Sequence, residues 1–308
     1  MKITTIGEVL IDMTEIGRDE NGIPRFQANP GGAPANVAVA VSKLGGEAGF
    51  IGCVGEDAFG AFLRETLVRC GVDVHGLQIA RDASTTLAVV TVDEKGERSF
   101  SFCRKPGADT RIDPEKAIEI ASGADILHFG SVSLTDPVCR DTIVRVVEAA
   151  KRSGAIITYD PNYRPPLWGS EAEALEAIVA YLPMADVVKV SLEEAQMITG
   201  ESDVAACAQA MRRFGNAILL ITDGPNGAYY CKDGVLGHVP GMDVRAVDTT
   251  GAGDIFFGSF LYELIQSGKA PEEAGAEDLE AFCRLAVRQS GYSVLKKGAI
   301  PSIPEYHI

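Results

Sequence analysis

The chain has 308 residues, 46% hydrophobic and 23% charged, with a formal charge of −15 at pH 7. This is globular composition, long enough for a large core plus an accessory element. The negative field argues against nucleic acid and anionic membranes as partners, and requires any phosphate site to be built locally. Seven cysteines, at 53, 70, 103, 139, 207, 231 and 283, have irregular spacing and no Cys-x-x-Cys. That predicts free thiols in a reducing cytoplasm rather than a disulfide or zinc framework. Acids interrupt the N-terminal apolar stretch too early for a signal peptide, and no apolar run approaches bilayer length.

Residues 2–7 read as a strand, followed by Glu8 and Asp12 in a segment that still alternates. Residues 13–30 are polar, with a hairpin-type turn at Asn21-Gly22. The run Asn29-Pro30-Gly31-Gly32-Ala33-Pro34-Ala35-Asn36 reads as a glycine loop feeding a tightly packed helix that ends at Gly45-Gly46. Residues 48–54 form a second apolar strand and 57–70 a helix. Residues 85–92 and 98–103 form a hairpin joined by 93–97; with part of 12–28 it predicts a small sheet standing off the main body. From 113 onward strands at 125–130, 155–159, 186–190 and 217–222 alternate with helices at 114–122, 136–152, 171–180, 192–199 and 203–214. That alternation predicts βαβ units and a mainly parallel sheet covered on both faces. A second hairpin at 227–240 and two helices, near 254–267 and 277–293, complete the chain.

Ligands of open α/β sheets bind beyond the carboxyl ends of the strands. The residues to inspect are therefore Glu8 and Asp12, then Asp160, Asn162 and Arg164, then Ser191 and Glu194, then Asp223 and Gly224. In Asp248-Thr249-Thr250-Gly251-Ala252-Gly253-Asp254, two glycines about one alanine precede a helical run. Bare backbone N–H groups at a helix start make an anion-binding hollow, and Asp254 stands at its lip. The chain has no Gly-x-x-x-x-Gly-Lys-[Ser/Thr] loop, no protein-kinase signature, no Gly-x-Ser-x-Gly elbow and no His-Glu-x-x-His. Its four histidines are not spaced for metal, and His128, inside an apolar strand, reads as a core residue. What remains is a glycine-built anion hole, carboxylates at one sheet end and Arg164. That inventory suits phosphoryl transfer to a hydroxyl, which needs positioning and charge stabilisation more than covalent chemistry.

Two separated motifs carry a resemblance. Gly31-Gly32-Ala33-Pro34-Ala35-Asn36-Val37-Ala38, followed by Gly55-Glu56-Asp57-Ala58-Phe59-Gly60, resembles the amino-terminal signature of the ribokinase-like (PfkB) carbohydrate kinases. Asp248–Asp254 resembles their carboxyl-terminal signature. The segments 102–109 and 160–168 look most like those of the family's fructokinases. The resemblance implies one ribokinase-like domain over 1–308, a three-layer αβα fold, and a β-sheet lid formed by about 12–28 and 84–104. It implies transfer of the γ-phosphate of ATP to the 6-hydroxyl of D-fructose; 2-keto-3-deoxygluconate, ribose and an aminoimidazole riboside are alternative acceptors, and a catalytically silent sugar-binding regulator is a third reading.

By the same resemblance Asp254 is the general base, and Gly251, Ala252 and Gly253 form the anion hole. Asp12, Gly31, Gly32, Asn36, Phe102, Arg104 and Arg164 surround the sugar. Asn162, Ser191, Thr222, Gly224 and Gly227, with Gly251 and Gly253, take the nucleotide. Glu194 organises Mg2+ through water, while Asp248, Thr250, Ser293, Gly298 and Ser302 surround a monovalent cation, K+. Ser191 stands where the family usually has Asn. The lid implies a homodimer.

Overall fold

The protein, described here from a computed structural model covering residues 1–92 and 98–305, contains two β-sheets. In chain order the main elements are β1 (Lys2–Ile6), β2 (Leu10–Arg18), β3 (Pro24–Gly31), α1 (Ala33–Lys43), β4 (Glu47–Gly55), α2 (Ala58–Arg69), β5 (Asp73–Ala80), β6 (Leu87–Val92) and β7 (Arg98–Cys103). They continue with α3 (Pro114–Ala121), β8 (Ile126–Gly130), α4 (Pro137–Arg152), β9 (Ile156–Asp160), α5 (Glu171–Tyr181), β10 (Val187–Ser191), α6 (Leu192–Thr199) and α7 (Val204–Met211). The last are β11 (Ile218–Thr222), β12 (Ala228–Lys232), β13 (Val235–Val239), α8 (Ala252–Ser267) and α9 (Ala276–Ser293).

The large sheet runs β13-β12-β11-β10-β9-β8-β1-β4-β5 and is parallel from β11 to β5. Its strands from β11 to β4 are runs buried on both faces. One core cluster gathers α1, α8 and α9; the other gathers α3 to α7. Successive strands lie on opposite sides of β1, with β4 and β5 one way and β8 to β11 the other. β1 is therefore the point where strand order reverses, and the crevice beyond its carboxyl end is where such sheets bind ligands.

The small sheet has the order β3-β2-β6-β7. Register places Asn29, Asp12, Ala88 and Phe102 in one row across it. The turn at Asn21-Gly22 is present, closed by Asp19, whose Oδ1 accepts from the N–H of Asn21 and of Ile23 at 2.9 Å. The connection 93–97 lies outside the described residues.

One strand has no counterpart in the sequence reading, and two expectations change. Residues 73–80 form an edge strand of the large sheet; Asp73, His75, Gly76 and Gln78 break its apolar pattern, which hid it. Asn29–Gly31 end a strand of the small sheet rather than opening a loop. The helix expected at 254 begins at Ala252, capped by Gly251 with φ 77°, so the glycine motif is the first turn of the helix itself.

α1 and α8 pack closely. A β-carbon at Gly258 would lie 2.7 Å from Ala40 Cβ and 2.9 Å from the Val37 carbonyl. This contact fixes where Asn36 meets Asp254, because each lies near the start of its helix. Gly258→Val should therefore lower unfolding free energy by about 1–3 kcal/mol in a denaturant titration. Unchanged stability would show that the two helices separate without cost.

Candidate active site

Asp254 is 5% exposed and sits in the first turn of α8. Its two oxygens are held separately. Asn36 Nδ2, from α1, donates to Oδ2 at 2.7 Å, and Asn162 Nδ2, just past β9, donates to Oδ1 at 3.1 Å. Residues 36, 162 and 254 thus converge from three remote segments. Burial, then the Asp160 carboxylate, push Asp254 up to about 6, opposed by the Asn36 hydrogen bond, Lys189 and Arg164. A carboxyl with that affinity is ionised at neutral pH and readily takes a proton. Asn36 Oδ1 is buried without a partner, leaving an acceptor for a hydroxyl.

Asp12 is half-buried in the row across the small sheet. Burial raises it to about 7 against the pull of Arg164, with Asp254 and Asp248 adding to the rise. Gly31 makes room for it: a β-carbon there would lie 2.3 Å from Asp12 Oδ2. Gly32, at φ 110°, packs on the Glu8 carbonyl, leaving no space for a side chain. Arg164 is exposed and acts electrostatically on both Asp12 and Asp254. Phe102 is half-buried in the same row as Asp12. Asp12 lies against Gly31 and within electrostatic reach of Arg164 and Asp254, and Asp254 is bonded to Asn36, so the five residues are brought near one another.

Arg104 is placed differently. Its side chain is buried, its Nε donates to Asp109 Oδ2 at 2.7 Å, and its remaining nitrogens reach Thr135 and the Val132 carbonyl. Thr86 donates to the other Asp109 oxygen. This network pins the ends of β6 and β7 to the large sheet. Its guanidinium is committed to the scaffold instead of facing the Asp12 row.

A cavity of about 320 Å³ runs from Thr222, Gly224 and Gly227, after β11, to Ala252 and Gly253 in the first turn of α8. Met242, Phe256, Val287 and Val294 give it apolar walls. Helix amides and their dipole meet one end of this cavity, as an anion requires. Ser191 and Asn162 do not line it. The Ser191 hydroxyl accepts from the Glu194 N–H at 3.1 Å while Glu194 Oε2 accepts from the Ser191 N–H at 2.8 Å, a reciprocal cap on α6. Ser191 therefore serves as the cap of α6.

Glu194 is buried, with Oε1 accepting from the Tyr163 N–H at 2.7 Å. Burial and Asp160 raise its affinity for a proton, opposed by Lys189 and two backbone N–H groups. At the other side of α8, Asp248 accepts from Thr250 N and Oγ1 and from Gly298 N at 3.0, 2.7 and 2.9 Å. Its N–H reaches the Val294 carbonyl, next to Ser293, and Ser302 closes the short turn that begins at Ala299. The five residues expected around a monovalent cation therefore fall on the loop before α8 and on the end of α9 with the segment that follows it, which Asp248 joins.

Sequence reading missed Lys189. It is 5% exposed in β10, and its Nζ donates to Asp160 Oδ2 at 2.9 Å. Burial opposes its charge, but Asp160, Glu194 and Asp254 outweigh that and hold it above its ordinary value. A β-carbon on Gly253 would come within 2.9 Å of this ammonium, which therefore lies against the first turn of α8. The available signal was a lone lysine inside an apolar strand, which needs a charged partner. His128 is a core residue as expected, 3.1 Å from Thr158 Oγ1, edge-on to Phe257 and lowered to about 4 by burial.

Known proteins resemble this chain over nearly its whole length. The pfkB family carbohydrate kinase pattern matches residues 1–306. The chain is 41% identical over 307 residues to probable fructokinase-2 of Arabidopsis thaliana, covering 98% of this chain and 92% of that protein. Among solved structures, the fructokinase of Xylella fastidiosa with bound ATP superposes with a TM-score of 0.88 at 34% identity, covering 98% and 95% of the two chains. A double-mutant fructokinase of Vibrio cholerae O395, in its fructose, ADP and potassium ion bound form, gives 0.88 at 31% identity over 98% and 95%. The fold is thus ribokinase-like, and the chain belongs to the pfkB family of carbohydrate kinases, ATP-dependent enzymes that phosphorylate sugars.

Proposed function

We propose that this chain is a fructokinase that transfers the γ-phosphate of ATP to the 6-hydroxyl of D-fructose. The observation that carries the reading is Asp254: a buried, two-point-held carboxylate in the first turn of α8, next in sequence to Gly253 on the cavity wall and within electrostatic reach of Asp12. The sugar hydroxyl faces Asp254, with Asp12 and Asn36 Oδ1 accepting from other hydroxyls. As the sugar oxygen bonds to the γ-phosphorus, its proton passes to Asp254 and the bond to the ADP oxygen breaks. Amides of Gly251–Gly253 and the Lys189 ammonium face the charge that develops on the phosphoryl group. Fructokinase relatives support fructose as acceptor. An anionic acceptor such as 2-keto-3-deoxygluconate would want more than one cation, and Arg104, which could join Arg164 in that role, is paired with Asp109.

The donor set fits the ions. Glu194 offers hard carboxylate oxygen to Mg2+ through water, and Mg2+ neutralises phosphate charge when bound. The carboxylate of Asp248, with hydroxyls and carbonyls of the adjoining loops, suits K+. The single domain carries its small sheet as a lid over the sugar, excluding water from the transfer. Free thiols at all seven cysteines support a cytoplasmic setting. Among the described residues no helix is long and apolar enough to cross a membrane.

Asp254→Asn should reduce kcat by roughly two to four orders of magnitude in an assay of ADP release with fructose; near wild-type turnover would remove Asp254 as the base. Asp254 must be ionised to act, and its affinity is raised to about 6. The ratio kcat/KM should therefore decline as pH drops through about 6 to 7, where Asp12, raised to about 7, also takes a proton. A flat profile from pH 5 to 8 would contradict this.

The lid also supports a homodimer. Ile16 and Ile23 are 54% and 59% exposed on the β2–β3 hairpin, a surface that association would cover. Sedimentation velocity should give a two-protomer mass that Ile16→Glu converts to one; a single-protomer mass at micromolar wild-type enzyme would contradict it.

A further inference from the structure

Asn162 follows β9 with φ 47°, in the left-handed region. Among the described residues only Asp233, in the β12–β13 turn, shares that conformation with a side chain. Two carboxylates hold the turn. Asp160 Oδ1 accepts from the Asn162 N–H at 3.1 Å, and Glu194 Oε1 accepts from the next N–H, at Tyr163, at 2.7 Å. The backbone is thereby over-determined, which is how a strained conformation persists at a working site. Its product is one contact: the Asn162 amide lies 3.1 Å from Asp254 Oδ1, buried, and outside the lining of the long cavity.

We propose that Asn162 is a positioning residue for the base, its left-handed turn serving to set an amide N–H on Asp254 Oδ1. With Asn36 on Oδ2, the carboxylate cannot rotate. Each oxygen still has a lone pair free for the acceptor hydroxyl, since a carboxylate oxygen offers two. A donated hydrogen bond also favours the charged form of the base. The charged groups facing Asp254 are Asp160 at the end of β9 and Asp12 on β2, which disfavour its ionisation, and Lys189 on β10 and Arg164 beyond β9, which favour it. All four remain when the amide is removed. The inference rests on Asp254 being the base.

The test uses the full chain and two variants that tolerate the left-handed backbone. Asn162→Gly removes the amide; Asn162→Asp keeps its size but presents an acceptor to Asp254. The expected result is an acid limb of kcat/KM moved upward by about one pH unit in Asn162→Gly and further in Asn162→Asp. In both, kcat at pH 7 falls about tenfold or more while the KM for ATP is unchanged. An unmoved acid limb with a raised KM for ATP would overturn the proposal in favour of a nucleotide contact. Wild-type rates in both variants would also overturn it. Asp254→Asn runs beside them: if that variant keeps turnover, the base assignment itself fails, and the role of Asn162 with it.

Discussion

A carboxylate is taken out of water at Asp254, and most of the site answers to that fact. Burying an ionised acid is unfavourable by several kcal/mol unless hydrogen bonds and opposite charge offset it. Two amides supply the hydrogen bonds and Lys189 supplies charge, but Asp160, which fixes Lys189 in place, also repels Asp254. The balance leaves Asp254 raised to about 6 rather than driven far above neutrality. An acid in that range is charged in the cell and a better proton acceptor than a solvated one. The question of why a carboxylate stands at the lip of an anion hollow has a geometric answer. Its oxygens turn toward Asn36 and Asn162, while the helix amides serve the cavity on the other side.

The fold delivers that arrangement by placing three distant segments at one sheet end. β1 is the switch point of the large sheet, and α1 and the turn after β9 rise on either side of it. α8 is pressed onto α1 at Gly258, where no side chain fits. Close packing there leaves little freedom to the distance between Asn36 and Asp254. The small sheet is attached through another buried ion pair, Arg104 with Asp109, so the Asp12 row reaches the pocket from a separate layer. The chain carries a formal charge of −15, yet two cations, Lys189 and Arg164, act on Asp254 near the N-terminus of α8.

Much of this was legible in the sequence. The alternation of apolar runs from 113 onward specified the parallel sheet because each strand is buried on both faces, and α6 was placed to the residue. β5 was hidden because an edge strand tolerates Asp73, His75 and Gln78 on its open side. The motif at 248–254 located the acid and put the helix start within two residues, since the left-handed conformation at 251 and the closeness of Ala299 favour glycine there. Partnership was harder to read. Ser191-Leu192-Glu193-Glu194 carries the local capping-box pattern, but nothing local indicates that Arg104 is bound to Asp109 or that Asn162 turns its amide toward a residue 92 positions away. Those contacts depend on tertiary closure. Lys189 could have been found earlier, because a lysine flanked by Val188 and Val190 in a buried strand demands an acid nearby.

The central claim is that sugar and phosphate meet at Asp254 from opposite sides. A crystal structure with fructose and a non-hydrolysable ATP analogue tests it most directly. The account predicts the fructose 6-hydroxyl at about 2.6–3.2 Å from an Asp254 oxygen, with the terminal phosphate against the amides of Gly251–Gly253. A sugar bound with its 6-hydroxyl turned away from Asp254, or a terminal phosphate held elsewhere than the first turn of α8, would contradict it.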